Sequence, residues 1–522
     1  MNFTMFLPKT VAPLGCGLML MAASPLLANT AAPVLPATAK DWALAAKQDI
    51  AAAYQLTADN HPGMANPLDP DFPALLQQAQ KNAMALLPFV DSAMAYEAAI
   101  ARFSTTLQDG HAGAFASLPD ELRPKRRWPG FIAVWRGDAL WVYHSAIPLL
   151  SKGMQIVACD GVTVETLIRQ RVFQYSGQVD QPGHWWAYGG SLFTDDGNPF
   201  TPPLVHCDFK SPDGSIQKLQ LSWTVRPDAV QPYAQAAYDG DPLDVGLYWH
   251  LAGTAHKNTA VAAAEQQNNA AEVAWIAMPT FNPSKTEISQ YESLFSSLQQ
   301  QKARLQQAKA IVLDLRRNEG GSSYWSFQVA GLLWGKELVQ QKATALFANT
   351  EVWWFASAGN TAYVKSLYQV MQSQGQDSLL PWISQVGQGM EQAQKAQQPF
   401  FIEADKTDLA AAAKTATEQP QQLKTPVYVI VPGQCASACL DAIDIFKLFD
   451  NTRLVGTESS SDSTYMDVRF EPLPSGLAKV VIPNKMYVNR PREKGVYYRP
   501  DVAYHQLDWS TQALLDKVLT AL

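Results

Sequence analysis

The sequence predicts an α/β protein that begins with a helical segment and carries a mostly β module in its middle. Three observations support this prediction. From residue 270 onward, continuous apolar runs of strand length alternate with helical patterns, which is typical of a sheet covered on both faces. Residues 127–228 consist of short β-type runs separated by turn signals. Residues 33–126 are rich in Ala, Gln and Leu and show helical spacing.

The N-terminal segment is predicted to be helical because its apolar residues recur on one face. Tyr96, Ile100, Phe103 and Leu107 are separated by four, three and four positions. This spacing matches one face of an α-helix. The pattern ends at the tetrapeptide QDGH, residues 108–111, where we expect the helical segment to give way to a turn.

The middle module is predicted to be mostly β. Two apolar runs, residues 131–135 and 139–143, flank an Arg-Gly-Asp turn signal. Residues 153–162 then give a strand followed by an Asp-Gly turn, and residues 218–223 alternate between apolar and polar side chains. We therefore expect a compact domain over residues 127–228.

The last segment, residues 229–522, is predicted to be the α/β core. Its helical face is formed by apolar residues between positions 288 and 298. Its strands are predicted at residues 273–278, 310–315, 426–431, 453–456 and 478–482. An unusually long stretch, residues 336–424, separates two of these strands and is interpreted as a helical insertion, either a cap over a site or a decoration.

Composition excludes several classes of protein. The 522 residues leave room for about three domains. With 40 Lys and Arg against 47 Asp and Glu, the net charge is −7, which lacks the basic surface of a nucleic-acid-binding protein. The small net charge and the many aromatic residues also exclude disorder over the whole chain.

The N-terminus predicts export. Lys9 precedes an apolar stretch at residues 11–27, and small residues follow at Ala28, Ala31 and Ala32. This order is typical of a signal peptide over residues 1–28, with a membrane anchor as the alternative. We expect no stable membrane insertion after its removal, and a periplasmic or extracellular location.

The cysteines are consistent with an oxidising compartment. Cys159, Cys207, Cys435 and Cys439 remain if the signal peptide, with Cys16, is removed. Three pairings are possible, and we favour the local one, Cys159 with Cys207 and Cys435 with Cys439. For the latter pair, two small buried residues are the alternative. No metal is expected, because the CxxxC motif has no matching histidines.

Two of the predicted strands end in unusual turns. The first carries the sequence DLRRNEGG at residues 314–321, where the glycine pair lets main-chain N–H groups approach a ligand. The second carries PGQCASAC at residues 432–439 and leads into an apolar helix. Ser437 in this turn is a candidate nucleophile, because N–H groups at a helix start stabilise a developing oxyanion. An N-cap or a packed small residue is the alternative.

The two turns, in this order, resemble those of the C-terminal processing (tail-specific) serine peptidases, a family that includes the tricorn protease. The Val-Gly pair at 455–456 and the late Pro500-Asp501 fit the same pattern. The resemblance covers residues 270–505 and extends to residue 90 through His111. It implies a ClpP/crotonase-like core, and the middle module loosely resembles a PDZ domain, which binds peptides as an added strand.

The resemblance also implies the catalytic residues. One branch of the family uses a lysine in the region that corresponds to residues 456–464, which contains no lysine here. The tricorn-like branch uses a histidine in an Asp-Gly-His motif and a late glutamate, which match His111 and Glu493. Ser437 would attack, His111 would take its proton, and Glu493 would orient His111. The main-chain N–H groups of Ala438 and of Gly320 or Gly321 would form the oxyanion hole.

The remaining titratable candidates carry no such pattern. Asp109 is interpreted as a turn residue, and seven histidines lie in no nucleophile-like or metal-binding spacing: His61, His144, His184, His206, His250, His256 and His505.

The predicted function is that of an exported serine peptidase that acts on peptides or unfolded proteins through an acyl-enzyme, without a cofactor. Two alternatives remain: an inactive protein that binds a peptide or an apolar ligand on the same fold, and an esterase-type hydrolase. Cleavage preference and oligomeric state are not predicted.

Overall fold

The computed structural model of the protein describes residues 35–252, 272–403, 421 and 423–522. The predicted signal peptide, residues 1–28, lies outside these ranges. In the described ranges, no helix is both long and apolar enough to cross a membrane.

The N-terminal segment is helical, as its spacing predicts. Thr38 begins the first helix with a capping box, in which its hydroxyl accepts the N–H of Asp41. The face that includes Tyr96 and Phe103 is buried, and the third helix ends at Gln108, which has a left-handed conformation. The elements are α1 (Ala39–Asn60), α2 (Phe72–Met84), α3 (Ala93–Leu107) and strand β1 (Gly113–Ala116).

The middle module is mostly β. Five antiparallel strands lie in the order β3-β4-β5-β7-β8, and β6 pairs with β5. Its strands are β2 (Arg127–Trp128), β3 (Phe131–Arg136), β4 (Ala139–Ser145), β5 (Gln155–Cys159), β6 (Val162–Thr163), β7 (His206–Lys210), β8 (Ile216–Gln220) and β9 (Thr224–Val225). Its helices are α4 (Val164–Leu167) and α5 (Pro182–Tyr188).

The remaining residues form the largest part of the fold. Its first half contains α6 (Gln231–Asp239), β10 (Gly246–Leu251), β11 (Glu272–Ala277), α7 (Lys285–Gln300), α8 (Lys302–Gln307), β12 (Ala310–Asp314), α9 (Tyr324–Trp334), α10 (Lys336–Leu346), β13 (Glu351–Phe355), α11 (Ala358–Ser373), α12 (Leu380–Lys395) and β14 (Phe400–Glu403). Its second half contains β15 (Val427–Val431), α13 (Ala438–Phe446), β16 (Thr452–Gly456), β17 (Tyr465–Pro472), β18 (Ala478–Val488), β19 (Val502–Ala503) and α14 (Thr511–Ala521).

One six-stranded sheet has the order β10-β11-β12-β15-β16-β19. All its pairs are parallel except β10 with β11. Strands β12 and β15 are buried at every residue, and separate apolar clusters cover the two faces of the sheet. This confirms the prediction of a mixed helix and sheet protein. Because β12 and β15 are parallel neighbours, the turns that follow them meet at one edge of the sheet.

A second sheet differs from the prediction. Strand β18, expected in the α/β core, instead pairs with β1, β13 and β17 in an antiparallel sheet, and β14 extends it beyond β13. The described part of residues 336–424 therefore holds two strands, β13 and β14, as well as helices. The aromatic run at residues 353–355 favours the first of them. Through β1, the N-terminal segment contributes a strand to this sheet.

Candidate active site

Ser437 lies between β15 and α13, in the turn that the sequence singles out. Its backbone has φ 56° and ψ −127°, a conformation that residues with a Cβ atom rarely adopt. Its main-chain N–H donates a hydrogen bond to Oδ1 of Asp462 (3.0 Å). The residue is 9% exposed. The strained turn thus holds the hydroxyl at the start of a helix, near the edge of the sheet.

His111 reaches Ser437 from the opposite end of the chain. Its Nε2 lies 3.4 Å from Oγ of Ser437, although 326 positions separate the two residues. The left-handed Gln108 ends α3, and β1 then pairs with β18 from Gly113 onward, so the turn between them is fixed at both ends. The distance is long for a hydrogen bond but suits a catalytic pair without substrate.

The other ring nitrogen of His111 has no partner in the described part of the protein. Nδ1 is buried and neither donates nor accepts a hydrogen bond within that part. Glu493, which the family resemblance implies as the acid, is exposed, and its described hydrogen bond is the one that its main-chain oxygen accepts from Val496 (3.1 Å). The structure brings Ser437 and His111 together but does not bring the carboxylate of Glu493 to His111.

A different carboxylate lies beside His111. Oδ1 of Asp109 accepts hydrogen bonds from the main-chain N–H of His111 and from the hydroxyl of Ser463, both at 2.8 Å. Its Oδ2 faces Nε2 of His61 at 3.5 Å. Asp109 and His61 are both buried. The sequence interpretation missed both residues, because it treated Asp109 as a turn residue and His61 as unpatterned.

The glycine turn after β12 lies against the nucleophile. A Cβ atom on Gly320 would lie 2.8 Å from Cβ of Ser437 and 3.2 Å from the main-chain nitrogen of Ala438. The N–H of Gly320 itself donates to Oδ1 of Asn318 (3.0 Å). Among the described residues, the N–H groups of Gly321 and Ala438 have no acceptor. Of the predicted oxyanion donors, these two remain available to a substrate.

A network of ion pairs packs against α13 and is linked to the backbone of the nucleophile. Arg492 contacts Asp441 (2.7 Å), Asp444 (3.1 Å) and Asp462 (3.2 Å), and Arg490 also pairs with Asp441. Burial opposes the charge of Arg492, but the three aspartates outweigh it and raise its pKa. Asp462 thus connects the network to the N–H of Ser437. It lies in the region where the resemblance implies a lysine in the other branch of the family.

A small cavity opens beside the nucleophile helix. It lies between the first turn of α9 and the face of α13 that carries Asp441 and Ile445. Its walls combine apolar and aromatic side chains with a polar end formed by Ser323, Asp441 and Arg490. The apolar and aromatic lining comes from Phe327, Phe347, Val352, Ile445 and Tyr487.

The β module contacts the turn before the nucleophile and the loop after β16, through α5 and the residue before it. A Cβ atom on Gly183 would collide with the carbonyl oxygen of Gly433, in the turn before the nucleophile. Oε1 of Gln181 accepts the hydroxyl of Ser460 (2.8 Å), and Nε2 of His184 lies 3.1 Å from the same hydroxyl. Burial lowers the pKa of His184 to about 4, so the ring is neutral. The module is therefore part of the support of the site.

The four cysteines of the described ranges form two disulfides. Cys159 joins Cys207 across β5 and β7, and Cys435 joins Cys439 on either side of Ser437. In the same ranges, no group of three or more His, Cys, Asp or Glu side chains is arranged to hold a metal ion.

Comparison with known proteins agrees with the geometry. Residues 272–497, which contain Ser437 and both sheet turns, match the family model described as peptidase family S41. This segment belongs to peptidase family S41. The protein is therefore a serine-type peptidase, which is a hydrolase. The match confirms the resemblance to the tail-specific peptidases that the two turns predict. No curated protein sequence matches the chain.

Solved structures show the same fold over most of the chain. Mature CPAF aligns with a TM-score of 0.58 at 13% identity, covering 91% of this chain and 96% of that one. Mature CPAF complexed with lactacystin gives 0.56 at 13% identity, covering 92% and 98%. The tricorn protease gives 0.34 at 11% identity, covering 92% of this chain and 37% of that one, so it does not distinguish between the branches.

Proposed function

We propose that the protein hydrolyses peptide bonds through an acyl-enzyme on Ser437, with His111 as the general base. The observation that carries this proposal is the 3.4 Å approach of Nε2 of His111 to Oγ of Ser437, at the strained start of a helix. A serine hydroxyl becomes a nucleophile when a neighbouring base takes its proton.

The proposed reaction begins at the hydroxyl of Ser437. Oγ of Ser437 bonds to the substrate carbonyl carbon while its proton moves to His111. The resulting oxyanion accepts hydrogen bonds from the N–H groups of Ala438 and Gly321. The carbon–nitrogen bond then breaks, and His111 gives its proton to the departing amine. Water then attacks the acyl carbon and gives one proton to His111. The bond between that carbon and Oγ of Ser437 breaks, His111 passes the same proton to Oγ, and the carboxylic acid product keeps the other proton of the water.

A serine–lysine mechanism is less consistent with the site. Asp462 lies 25 positions after Ser437, and its carboxylate accepts the N–H of the nucleophile. The nearby Lys494 pairs instead with Asp69 (2.7 Å). The assignment of Glu493 as the acid stays a prediction.

We propose that the cavity between α9 and α13 receives an apolar side chain of the substrate. Its mainly apolar lining favours such a group, and Ser323 at its polar end follows the glycine turn by two positions. The finer domain assignments are also proposals: a PDZ-like module at 127–228 that presents a peptide, and a ClpP/crotonase-like core. Export is supported by the two disulfides, since disulfides persist in oxidising compartments.

The test is covalent labelling with a fluorophosphonate probe. We expect labelling of the wild type and none of Ser437→Ala. Ser326→Ala is the matched control, because it removes a buried hydroxyl whose one hydrogen bond in the described part of the protein is to the main-chain oxygen of Ser323, just before α9 (2.9 Å). Its labelling should match the wild type. Absence of labelling in the folded wild type would favour the inactive binding protein.

A substrate panel separates peptidase from esterase activity. Casein and simple esters should be compared at equal enzyme concentration, with lactacystin as a second probe because CPAF is known in complex with it. Casein cleavage that disappears in Ser437→Ala supports the proposal. Ester cleavage without casein cleavage would support the esterase-type hydrolase.

A further inference from the structure

His61 is held in one orientation at the end of α1. Its ring is fully buried, and its Nδ1 accepts the main-chain N–H of Gly63 (2.9 Å). The ring stacks on Phe72 with 4.0 Å between centroids, and Tyr465 meets it edge-on at 4.5 Å. Because Nδ1 accepts a hydrogen bond, a neutral ring carries its proton on Nε2.

That proton points to Asp109. Nε2 of His61 lies 3.5 Å from Oδ2 of Asp109, and neither atom has another polar partner in the described ranges. The second oxygen of Asp109 accepts the N–H of His111 and the hydroxyl of Ser463. The connection therefore runs from His61 through Asp109 to the backbone of the proposed base.

The charges agree with this arrangement. Burial lowers the pKa of His61, which favours the neutral ring. Burial opposes ionisation of Asp109, but His61 and His111 outweigh it and hold the pKa of Asp109 below its usual value. Asp69 and Lys494 are the other charged groups near His61, and they pair with each other at 2.7 Å. A buried negative charge therefore lies beside His111.

We propose that Asp109, oriented by His61, is the carboxylate that positions His111 and stabilises its protonated form during catalysis. This inference rests on the proposed function. It gives Asp109 the part that the family resemblance implies for Glu493. It also explains why the helical segment belongs to the active site, since His61 directly follows α1 and Asp109 follows α3. Both are positioning residues, because neither touches the reacting atoms.

The first test compares Asp109→Asn with Glu493→Gln. The rate of fluorophosphonate labelling is measured against pH. The amide of Asp109→Asn still accepts the N–H of His111 but carries no charge, so His111 is harder to protonate. We expect the acidic limb of the profile to move to lower pH. We also expect the plateau rate to fall at least about tenfold, because the protonated His111 of the transition state loses the neighbouring negative charge. Glu493→Gln should leave both unchanged.

Asp49→Asn controls for the loss of a buried carboxylate elsewhere in the helical segment. Asp49 is buried and accepts the hydroxyl of Tyr96 (2.6 Å). Its replacement should lower stability without moving the limb. A limb that moves in Glu493→Gln but not in Asp109→Asn would overturn the inference while leaving Ser437 labelling intact. A folded wild type that does not label would overturn the proposed function and this inference together.

The second test concerns His61. His61→Gln keeps a side-chain N–H that can face Asp109, whereas His61→Leu removes the donor. We expect His61→Gln to retain most of the labelling rate and His61→Leu to show the fall seen in Asp109→Asn. Thermal denaturation of both variants monitors folding. Equal loss in the folded Gln and Leu variants would mean that only the packing of the ring matters, which would overturn the role of His61.

Discussion

The carboxylate of Asp462 accepts a hydrogen bond from the main-chain N–H of Ser437, with 3.0 Å between Oδ1 and nitrogen. Its other oxygen contacts Arg492 at 3.2 Å. Asp462 therefore joins the backbone of the proposed nucleophile to the ion pairs that Arg492 makes with the aspartates of α13. Since Ser437 has a positive φ of 56°, this hydrogen bond helps to hold a conformation that the turn alone does not favour.

Replacing Asp462 should loosen the nucleophile. We expect Asp462→Ala to slow fluorophosphonate labelling and to lower the free energy of unfolding by about 1–3 kcal/mol, the usual cost of an unsatisfied buried donor. Asp462→Asn keeps an acceptor oxygen, so its labelling rate and its free energy of unfolding should fall less. Labelling rates and denaturant unfolding check this. A labelling rate in Asp462→Ala equal to that of the wild type would show that the turn holds Ser437 without help.

The ionic network should make stability depend on acid pH. Burial opposes ionisation of Asp441, but Arg490 and Arg492 outweigh it and lower its pKa. A lowered carboxyl pKa contributes stability above the unfolded value of about 3.9, and that contribution is lost as pH falls through the folded value. Asp441→Asn should therefore be about 3 kcal/mol less stable at neutral pH.

The pH dependence of that difference is the decisive measurement. The gap in melting temperature between wild type and Asp441→Asn should narrow below about pH 4, because the carboxyl of the unfolded chain takes up a proton there while the folded carboxylate stays ionised until lower pH. Melting curves from neutral to acid pH check this. A gap of constant size across the range would mean that packing, and not charge, accounts for the effect.

The two disulfides should have different roles. In the loop-closure account, a bond across 48 positions contributes about 4 kcal/mol and one across four positions about 2 kcal/mol. Removing Cys159–Cys207 should therefore cost more stability. Removing Cys435–Cys439, which encloses Ser437, should cost more labelling rate. Serine double variants of each pair, compared by unfolding and by labelling, test the contrast.

A direct check of the disulfides comes first. Intact-mass analysis after alkylation, with and without reductant, counts the free thiols. We expect none at Cys435 and Cys439 without reductant. Free thiols at both positions would remove the basis for a rigid, cross-linked nucleophile turn.

Local sequence predicts part of the site well. The turns after β12 and β15 are visible because each follows a continuous apolar strand and contains small residues, and parallel pairing then brings them together. His111 is identified through the family motif, since its approach to Ser437 depends on the pairing of β1 with β18. The packing of Gly183 against Gly433 is set by tertiary structure and leaves no pattern in the sequence.

The carboxylate partner of His111 shows why the remaining site residues are harder to predict from sequence. Arg492 is buried and Glu493, the next residue, is exposed. Motif position gives the order of residues along the chain, but which of two neighbouring side chains faces inward depends on the local backbone. Asp109 shows the opposite case: its position two residues before His111 looks like a simple turn, and its second partner, His61, comes from a separate helix.

The glycine turn permits a test of the oxyanion hole with a closely matched control. Gly320 and Gly335 have nearly the same φ, 106° and 103°, in a region where a side chain strains the backbone. Around Gly335 the added methyl group would meet nothing within 4 Å, whereas at Gly320 it would press on Cβ of Ser437. We expect Gly335→Ala to lose about 1–2 kcal/mol from the backbone, and Gly320→Ala to lose more because of the clash with Ser437. Labelling should be lost in Gly320→Ala alone, and equal labelling of the two would contradict the placement of this turn against the nucleophile.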